Sequence, residues 1–212
     1  GFLVPIIACA VTTAVCLLFV LFFIYRISKK NEPMFDILNE KGVCVSDLVE
    51  IDGSAEVPDT HKPDLTIVAA IRLVLDYAAD TEEAVRLLSQ YDVFPSVNAA
   101  HHLAVSDIYD NNVVIEWRNG EMRVTQTDVV TNHCLAEDIV SPWTEESRRR
   151  FAALSERHSG FRTQDEGLQA LKDAAYPDHT LWSVIYDKKN LTSTICFDRN
   201  WDSPLSFSID TK

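Results

Sequence analysis

Three short runs hold residue types that do chemistry. Asn132-His133-Cys134 sets an amide, an imidazole and a thiol side by side. A thiol with an imidazole base is the raw material of nucleophilic catalysis. Consecutive side chains do not face one another, however, so the triplet reads first as the loop that ends a strand. His101-His102 offers two metal ligands. On a strand adjacent residues point to opposite faces, and no third ligand stands close in sequence, so no metal site is expected. Arg148-Arg149-Arg150 is a basic run that belongs on a solvated helix face. Successive helical residues point about 100° apart, so at most one of the three aims inward. Arg150, beside the apolar Phe151, is the one singled out.

The remaining motifs exclude more than they include. The five cysteines are Cys9, Cys16, Cys44, Cys134 and Cys196, without the spacing of a structural zinc site or a disulfide framework. No Gly-rich phosphate loop, Gly-x-Ser-x-Gly elbow or paired-carboxylate constellation occurs, and no cofactor is expected. Asn190-Leu191-Thr192 fits a glycosylation acceptor, a triplet common by chance. The formal net charge of -13 would repel a polyphosphate, so no nucleic-acid partner is expected.

These residues need elements to hold them. Phe2 to Tyr25 contains no charged residue. As a helix it would reach about 36 Å, enough to cross a hydrocarbon core of about 30 Å. It ends without the small residues of a cleavage site, so residues 1–30 are expected to be a single-pass membrane anchor with a basic flank of Arg26, Lys29 and Lys30. The positive-inside rule would put the rest in the cytoplasm, but the other flank is unknown and the side stays open.

Residues 31–212 read as one α+β domain. Gly42–Val49 reads as a buried strand. Ile67, Ala70, Ile71, Val74, Leu75 and Ala78 mark the face of a helix. Asp80 with Glu83 caps a second helix that buries Ala84, Val85, Leu87, Leu88 and Tyr91. His102–Asp107, Val113–Arg118 and Glu121–Thr127 read as strands, the last two joined by the hairpin pair Asn119-Gly120. Val129–Asn132 is expected to extend that sheet. Ser141-Pro142 starts a helix with Trp143, Ser147, Phe151 and Leu154 on its face. Thr163 and Glu166 box the next, and a hairpin over Asp187–Asn190 closes the chain. The order predicts layered sheets and helices rather than a parallel βαβ sheet.

Several of these segments resemble the choloylglycine hydrolase family, in its linear amide C–N hydrolase branch. The likeness begins at Asn39-Glu40-Lys41-Gly42 and runs through Ile71–Asp76, Thr81–Ala84 and Leu87–Asp92. It continues at Val114–Trp117, Thr131-Asn132, Arg150-Phe151 and Trp182–Asp187. The resemblance implies an N-terminal-nucleophile hydrolase fold, a four-layer αββα sandwich, here incomplete and preceded by one transmembrane helix. It implies hydrolysis of linear amides such as conjugated bile acids, penicillin V or N-acyl amines by a processed N-terminal cysteine. Carried over by motif, Asn132 is the oxyanion asparagine and Arg150 the arginine near the nucleophile. A backbone amide in the loop after the Asn39–Leu48 segment, its residue not fixed by the motif, would be the second oxyanion donor.

The departure is upstream. The family places its cysteine, and an Arg…Asp pair, well before the Asn-Glu-Lys-Gly motif, where this chain has its apolar run. Cys44 lies inside a strand without a free α-amine and is no substitute. Losing a covalent nucleophile costs about 10⁶-fold in turnover, so the chain alone is expected to be inert. The expectation is therefore a truncated membrane-anchored amide hydrolase. The alternative is a non-catalytic tethered interaction or complementing subunit on the same scaffold. The partners implied are a small-molecule amide for the complete enzyme, the membrane, and a second or complementing chain.

Overall fold

The computed structural model describes residues 38–51, 53, 59–95, 99–157, 163–176 and 180–209. The unit they belong to is Ile37–Lys212. The anchor expected over residues 1–30 lies outside the described residues. Among the described residues no helix is long and apolar enough to cross a membrane.

The chain runs β1 (Cys44–Val49), β2 (Asp64–Thr66), α1 (Ile67–Tyr77), α2 (Thr81–Leu88), β3 (Asp92–Phe94) and β4 (His101–Ser106). It continues through β5 (Asn112–Arg118), β6 (Glu121–Gln126), α3 (Pro142–Arg157), α4 (Gln164–Ala174), β7 (Trp182–Asp187), β8 (Thr192–Phe197) and β9 (Leu205–Ser208). One antiparallel sheet has the order β1-β4-β5-β6 and a second β7-β8-β9. β2 and β3 form a short parallel pair spanned by α1 and α2.

The two faces of the first sheet differ by residue parity. Val45, Leu103, Val105 and Ile115 point to one side, where they meet Ile67, Ala70 and Val74 of α1 and Ala84 and Leu88 of α2. Each fully buried aliphatic side chain there contributes roughly 1.5–3 kcal/mol. The other face carries Glu50, His102, Glu116 and Arg118, all buried, and becomes the floor of the site described below.

Local chemistry fixes the helix starts. Thr66 caps α1 by accepting from Ala69 N–H at 3.3 Å. Asp80 caps α2 through Glu83 N–H at 2.8 Å, while the Glu83 carboxylate accepts from Ala79 N–H at 3.1 Å. Thr163 and Glu166 form the expected capping box of α4. Buried Asp107 ties α2 to the end of β4, accepting from Thr81 N–H and Oγ1 at 3.0 Å each. Burial alone would raise its pKa, but the hydrogen bonds from Thr81, Asn111 and Tyr109 outweigh that and hold it below the usual range.

The Asn39–Gly42 motif is a structural clasp. Asn39 Nδ2 donates to Ala78 O at 2.8 Å and Leu75 O at 3.2 Å, satisfying carbonyls at the end of α1. Its Oδ1 accepts from Lys41 and Val43 N–H at 3.0 and 2.9 Å. Gly42 then turns the chain at φ +81°, where a Cβ would run into Ile108 and lie 2.8 Å from Lys188 O.

Several expectations are corrected. Val129–Asn132 forms no strand, because Thr127 Oγ1 bonds Val129 at both N–H and C=O and curls the chain. Only its last carbonyl pairs, Asn132 O accepting from Ile51 N–H at 2.7 Å. Trp143 stands 75 % exposed while Thr144 and Ser147 take the inward positions of α3. Val85, Leu87 and Tyr91 are only half-buried, and Tyr91 lies beyond α2. The strands β2, β3 and β9 had no expectation at all.

Candidate functional site

Asn132 sits at the outer edge of β1, between two buried neighbours, Thr131 and His133. Its side chain is oriented from both ends. Arg150 Nη2 of α3 donates to Asn132 Oδ1 at 2.9 Å, and Asn132 Nδ2 donates to Val49 O at 2.9 Å. A guanidinium only donates and a carbonyl only accepts, so this pair of partners fixes which way the amide faces. One Nδ2 proton is used on Val49; the second is available to an incoming oxygen. The two residues singled out from the sequence, Asn132 and Arg150, are thus in direct contact although they lie on different elements.

Val49 joins them by strand parity. Glu50 N–H donates to Ala100 O at 2.8 Å, so Glu50 and Ala100 make the hydrogen-bonded pair and Val49–His101 the alternate one. The N–H and C=O of Val49 therefore both point away from β4, toward Asn132. A backbone donor and a side-chain donor stand on the same edge, the arrangement that stabilises a developing oxyanion.

The segment carrying Asn132 is fastened on both sides. Upstream, Thr131 Oγ1 donates to Ser147 O at 2.9 Å, and Ser147 Oγ lies 3.0 Å from His133 Nδ1. The His133 ring meets Phe151 edge-on at 5.2 Å between centroids. Burial, then the nearby Arg148 and His102, hold the His133 pKa below its ordinary value. Downstream, Glu116 accepts from Leu135 N–H at 2.9 Å, Ala136 N–H at 2.7 Å and His102 Nδ1 at 3.0 Å. Burial pushes its pKa up, but His102 and the two amides outweigh it and keep Glu116 a carboxylate. Arg118, two residues along the same strand face, pairs with Glu50 and donates Nε–H to Cys134 Sγ at 3.3 Å.

Glu50, His102 and Glu116 bring ligand atoms within 4.8 Å of one another, a grouping invisible from sequence spacing. The donor set does not fit an ion. Three donors already occupy Glu116, and Arg118 supplies the charge that balances Glu50. The cluster acts as a charge-matched clamp under the Asn132 segment. Its one sequence signal is the set of ionisable residues sharing a strand face, Glu116 and Arg118, with His102 opposite Glu116 across the sheet. Ser147 was expected on the helix face, but its bonds to Thr131 and His133, like the role of Glu50, depend on contacts between distant segments and gave no signal.

Among the described residues no cysteine is placed as a nucleophile. Cys44, Cys134 and Cys196 are free and buried. Burial pushes the Cys44 thiol up to about 12, against the weaker opposing pull of Lys188 and Ser106, and raises Cys196 as well. A nucleophilic thiol needs the opposite shift.

A cleft of about 630 Å³ opens over Asn132 and Arg150, with Ile51, Trp143 and Tyr176 among its walls. A larger cavity of about 810 Å³ lies between α4 and β7, but holds neither residue. Burial lowers the Arg150 pKa, against the opposing pull of the Glu146 carboxylate.

The comparisons with known proteins bear on the fold and on the family. In fold the chain is similar to penicillin V acylase from Agrobacterium tumefaciens, with a TM-score of 0.57 and 21% identity over 76% of this chain and 62% of that one. It therefore spans less than two thirds of that enzyme's length. It is similar as well to a variant of the conjugated bile acid hydrolase from Clostridium perfringens, with a TM-score of 0.60 and 13% identity over 81% of this chain and 71% of that one. No curated protein matches. The family model for acyl-coenzyme A:6-aminopenicillanic acid acyl-transferase matches residues 38–202, most of the chain and all of the site. The chain belongs to that acyl-transferase family, within the group that includes the choloylglycine hydrolases and penicillin V acylases.

Proposed function

We propose that this chain supplies the oxyanion-binding half of a linear amide C–N hydrolase. The observation that carries the reading is the Arg150–Asn132–Val49 relay, with 2.9 Å between each pair of partners. As a thiolate attacks the amide carbonyl, the free Asn132 Nδ2 proton and the Val49 N–H receive the oxygen as it gains charge. Both are set in place before the reaction, so little reorganisation is needed when charge develops. Arg150 holds Asn132 in the donating orientation, and its positive charge favours a thiolate over a thiol. Water then releases the acyl group. Delivery of that group to an amine instead would be the acyl transfer in the family's name.

The nucleophile is none of the three described cysteines, which are buried. In this reading the attacking cysteine comes from outside the described residues or from a second chain. Penicillin V and conjugated bile acids, the compounds in the names of the similar structures, are the first substrates to test. The uncharged run Phe2–Tyr25 supports attachment to a membrane.

The test is N-terminal sequencing with intact mass on the native protein, taken from both membrane and soluble fractions, alongside a penicillin V assay. A cysteine-first polypeptide that contains the Asn39–Lys212 region and releases the amine is the expected result. A native protein with the mass of this chain and no turnover would leave only a binding role.

A further inference from the structure

Residues 131–133 are docked as a unit on one turn of α3. Thr131 Oγ1 donates to Ser147 O at 2.9 Å, and Asn132 Oδ1 accepts from Arg150 Nη2 at 2.9 Å. The His133 ring lies 3.0 Å from Ser147 Oγ and meets Phe151 at 5.2 Å between centroids. Asn132 is the middle residue of the three, so whatever unseats its neighbours unseats its amide.

Counting protons fixes the state of His133. A carbonyl only accepts, so the Thr131 hydroxyl proton is spent on Ser147 O. The Ser147 hydroxyl, 2.9 Å from Thr131 Oγ1, must then donate to it. Neither hydroxyl keeps a proton for the imidazole, yet both oxygens lie against Nδ1, at 3.0 and 3.1 Å. Only Nδ1 can supply the hydrogen. The ring is therefore in its Nδ1–H form, and Nε2 is the nitrogen left to take up a further proton.

A neutral ring suits these surroundings and a charged one does not. Arg148 and Arg150 act on it from α3 and His102 from β4, against the Glu116 carboxylate on β5. Glu116 is already shared among His102 and the amides of Leu135 and Ala136, and Arg148 is paired with Asp138 at 2.7 Å. Burial first, then Arg148 and His102, hold the His133 pKa below the ordinary 6.5, with Arg150 adding to them. An imidazolium at this place repels the guanidinium that orients Asn132.

We propose that His133 is a positioning residue for Asn132: the neutral Nδ1–H imidazole keeps the donor amide in register with Arg150, and uptake of a proton at Nε2 releases it. The device gives the amide site a lower pH limit, a catalytic consequence that rests on the amide reading of Asn132.

The experiment is NMR of the full chain from about pH 8 to pH 5, in wild type, His133→Asn and Asn132→Ala. Ring-nitrogen resonances of His133, identified by their absence in His133→Asn, are expected to show Nδ1 protonated and Nε2 bare at the high end. The Asn132 side-chain NH₂ resonance, identified by its absence in Asn132→Ala, should move with the His133 midpoint, below 6.5. Asparagine at 133 places a donor that does not titrate close to where Nδ1 stands. In His133→Asn the Asn132 resonance should therefore keep its high-pH position throughout. A bare Nδ1 at high pH, an Asn132 resonance that ignores the His133 midpoint, or one that still titrates in His133→Asn overturns the positioning role. If His133→Asn does not fold, the wild-type tautomer and the shared midpoint decide alone. None of these results touches the amide reading, which stands or falls on whether penicillin V turnover depends on Asn132. Turnover that ignores Asn132→Ala, with the NMR coupling present, sinks the amide reading and upholds the positioning.

Discussion

Arg150 on α3 and Asn132 at the end of an irregular segment meet through one hydrogen bond of 2.9 Å, eighteen residues apart in sequence. That contact decides the direction of the Asn132 amide and hence what the edge of β1 can do. Removing the donor should free the amide to flip. Arg150→Met is expected to lower turnover of the complete enzyme by at least tenfold while leaving the melting temperature within a few degrees, since a half-exposed contact contributes only about 1–2 kcal/mol. Steady-state kinetics and a thermal scan on the same preparation check both halves.

Glu116→Gln tests the clamp beneath the site. A carboxylate there accepts from three donors, whereas a glutamine offers one acceptor oxygen and turns an NH₂ toward donors. Disrupting a buried charge network of this kind costs about 3–5 kcal/mol. At about 2–4 °C per kcal/mol for a domain of this size, a thermal scan should show a loss of roughly 10 °C. Amide exchange at Leu135 and Ala136 should accelerate ahead of the core strands.

His133 gives the pH dependence a sign. Its folded pKa lies below the ordinary 6.5, so the unfolded chain takes up the proton first as pH falls. Its contribution to stability is therefore full above about 6.5 and drains away below that, toward the depressed folded value. Urea midpoints should fall between pH 7.5 and 5.5, and should fall less in His133→Gln. An equal drop in both proteins would assign the effect to other groups.

Two glycines should respond in opposite ways. Gly42→Ala places a Cβ at positive φ against Ile108 and the Lys188 carbonyl. Strain of this kind costs about 1–3 kcal/mol. Gly167, inside α4, would meet only the mobile tip of Ile185 at 3.1 Å. Alanine there regains helix propensity worth about 1 kcal/mol, so Gly167→Ala is expected to be neutral or stabilising by the same denaturation assay.

The sequence was most legible where the signal is local. The Asp80 and Thr163 caps, the Asn119-Gly120 turn with φ of 50° and 78°, and the apolar stripe of α1 depend on residues within one turn or one helix. Asn132 was singled out through motif resemblance and Arg150 through both its place beside Phe151 and the resemblance, while their contact was not legible at all. The β2–β3 pair escaped because three-residue strands carry no period, and β9 for nearly the same reason. The Trp143 expectation failed for a different cause. Helical spacing gives a stripe, but polar Thr144 and Ser147 bond to the chain around them and claim the inside, leaving the indole out. The Glu50–His102–Glu116–Arg118 cluster joins three strands and could be read only once their register was known.

The most direct test of the amide reading is the penicillin V turnover of the native protein, compared between wild type and Asn132→Ala. Removing one oxyanion donor should lower kcat by about 10²–10³-fold, with an unchanged melting temperature. Turnover that ignores the substitution, or a native protein that turns over no amide at all, would contradict the assignment of Asn132 and the function built on it.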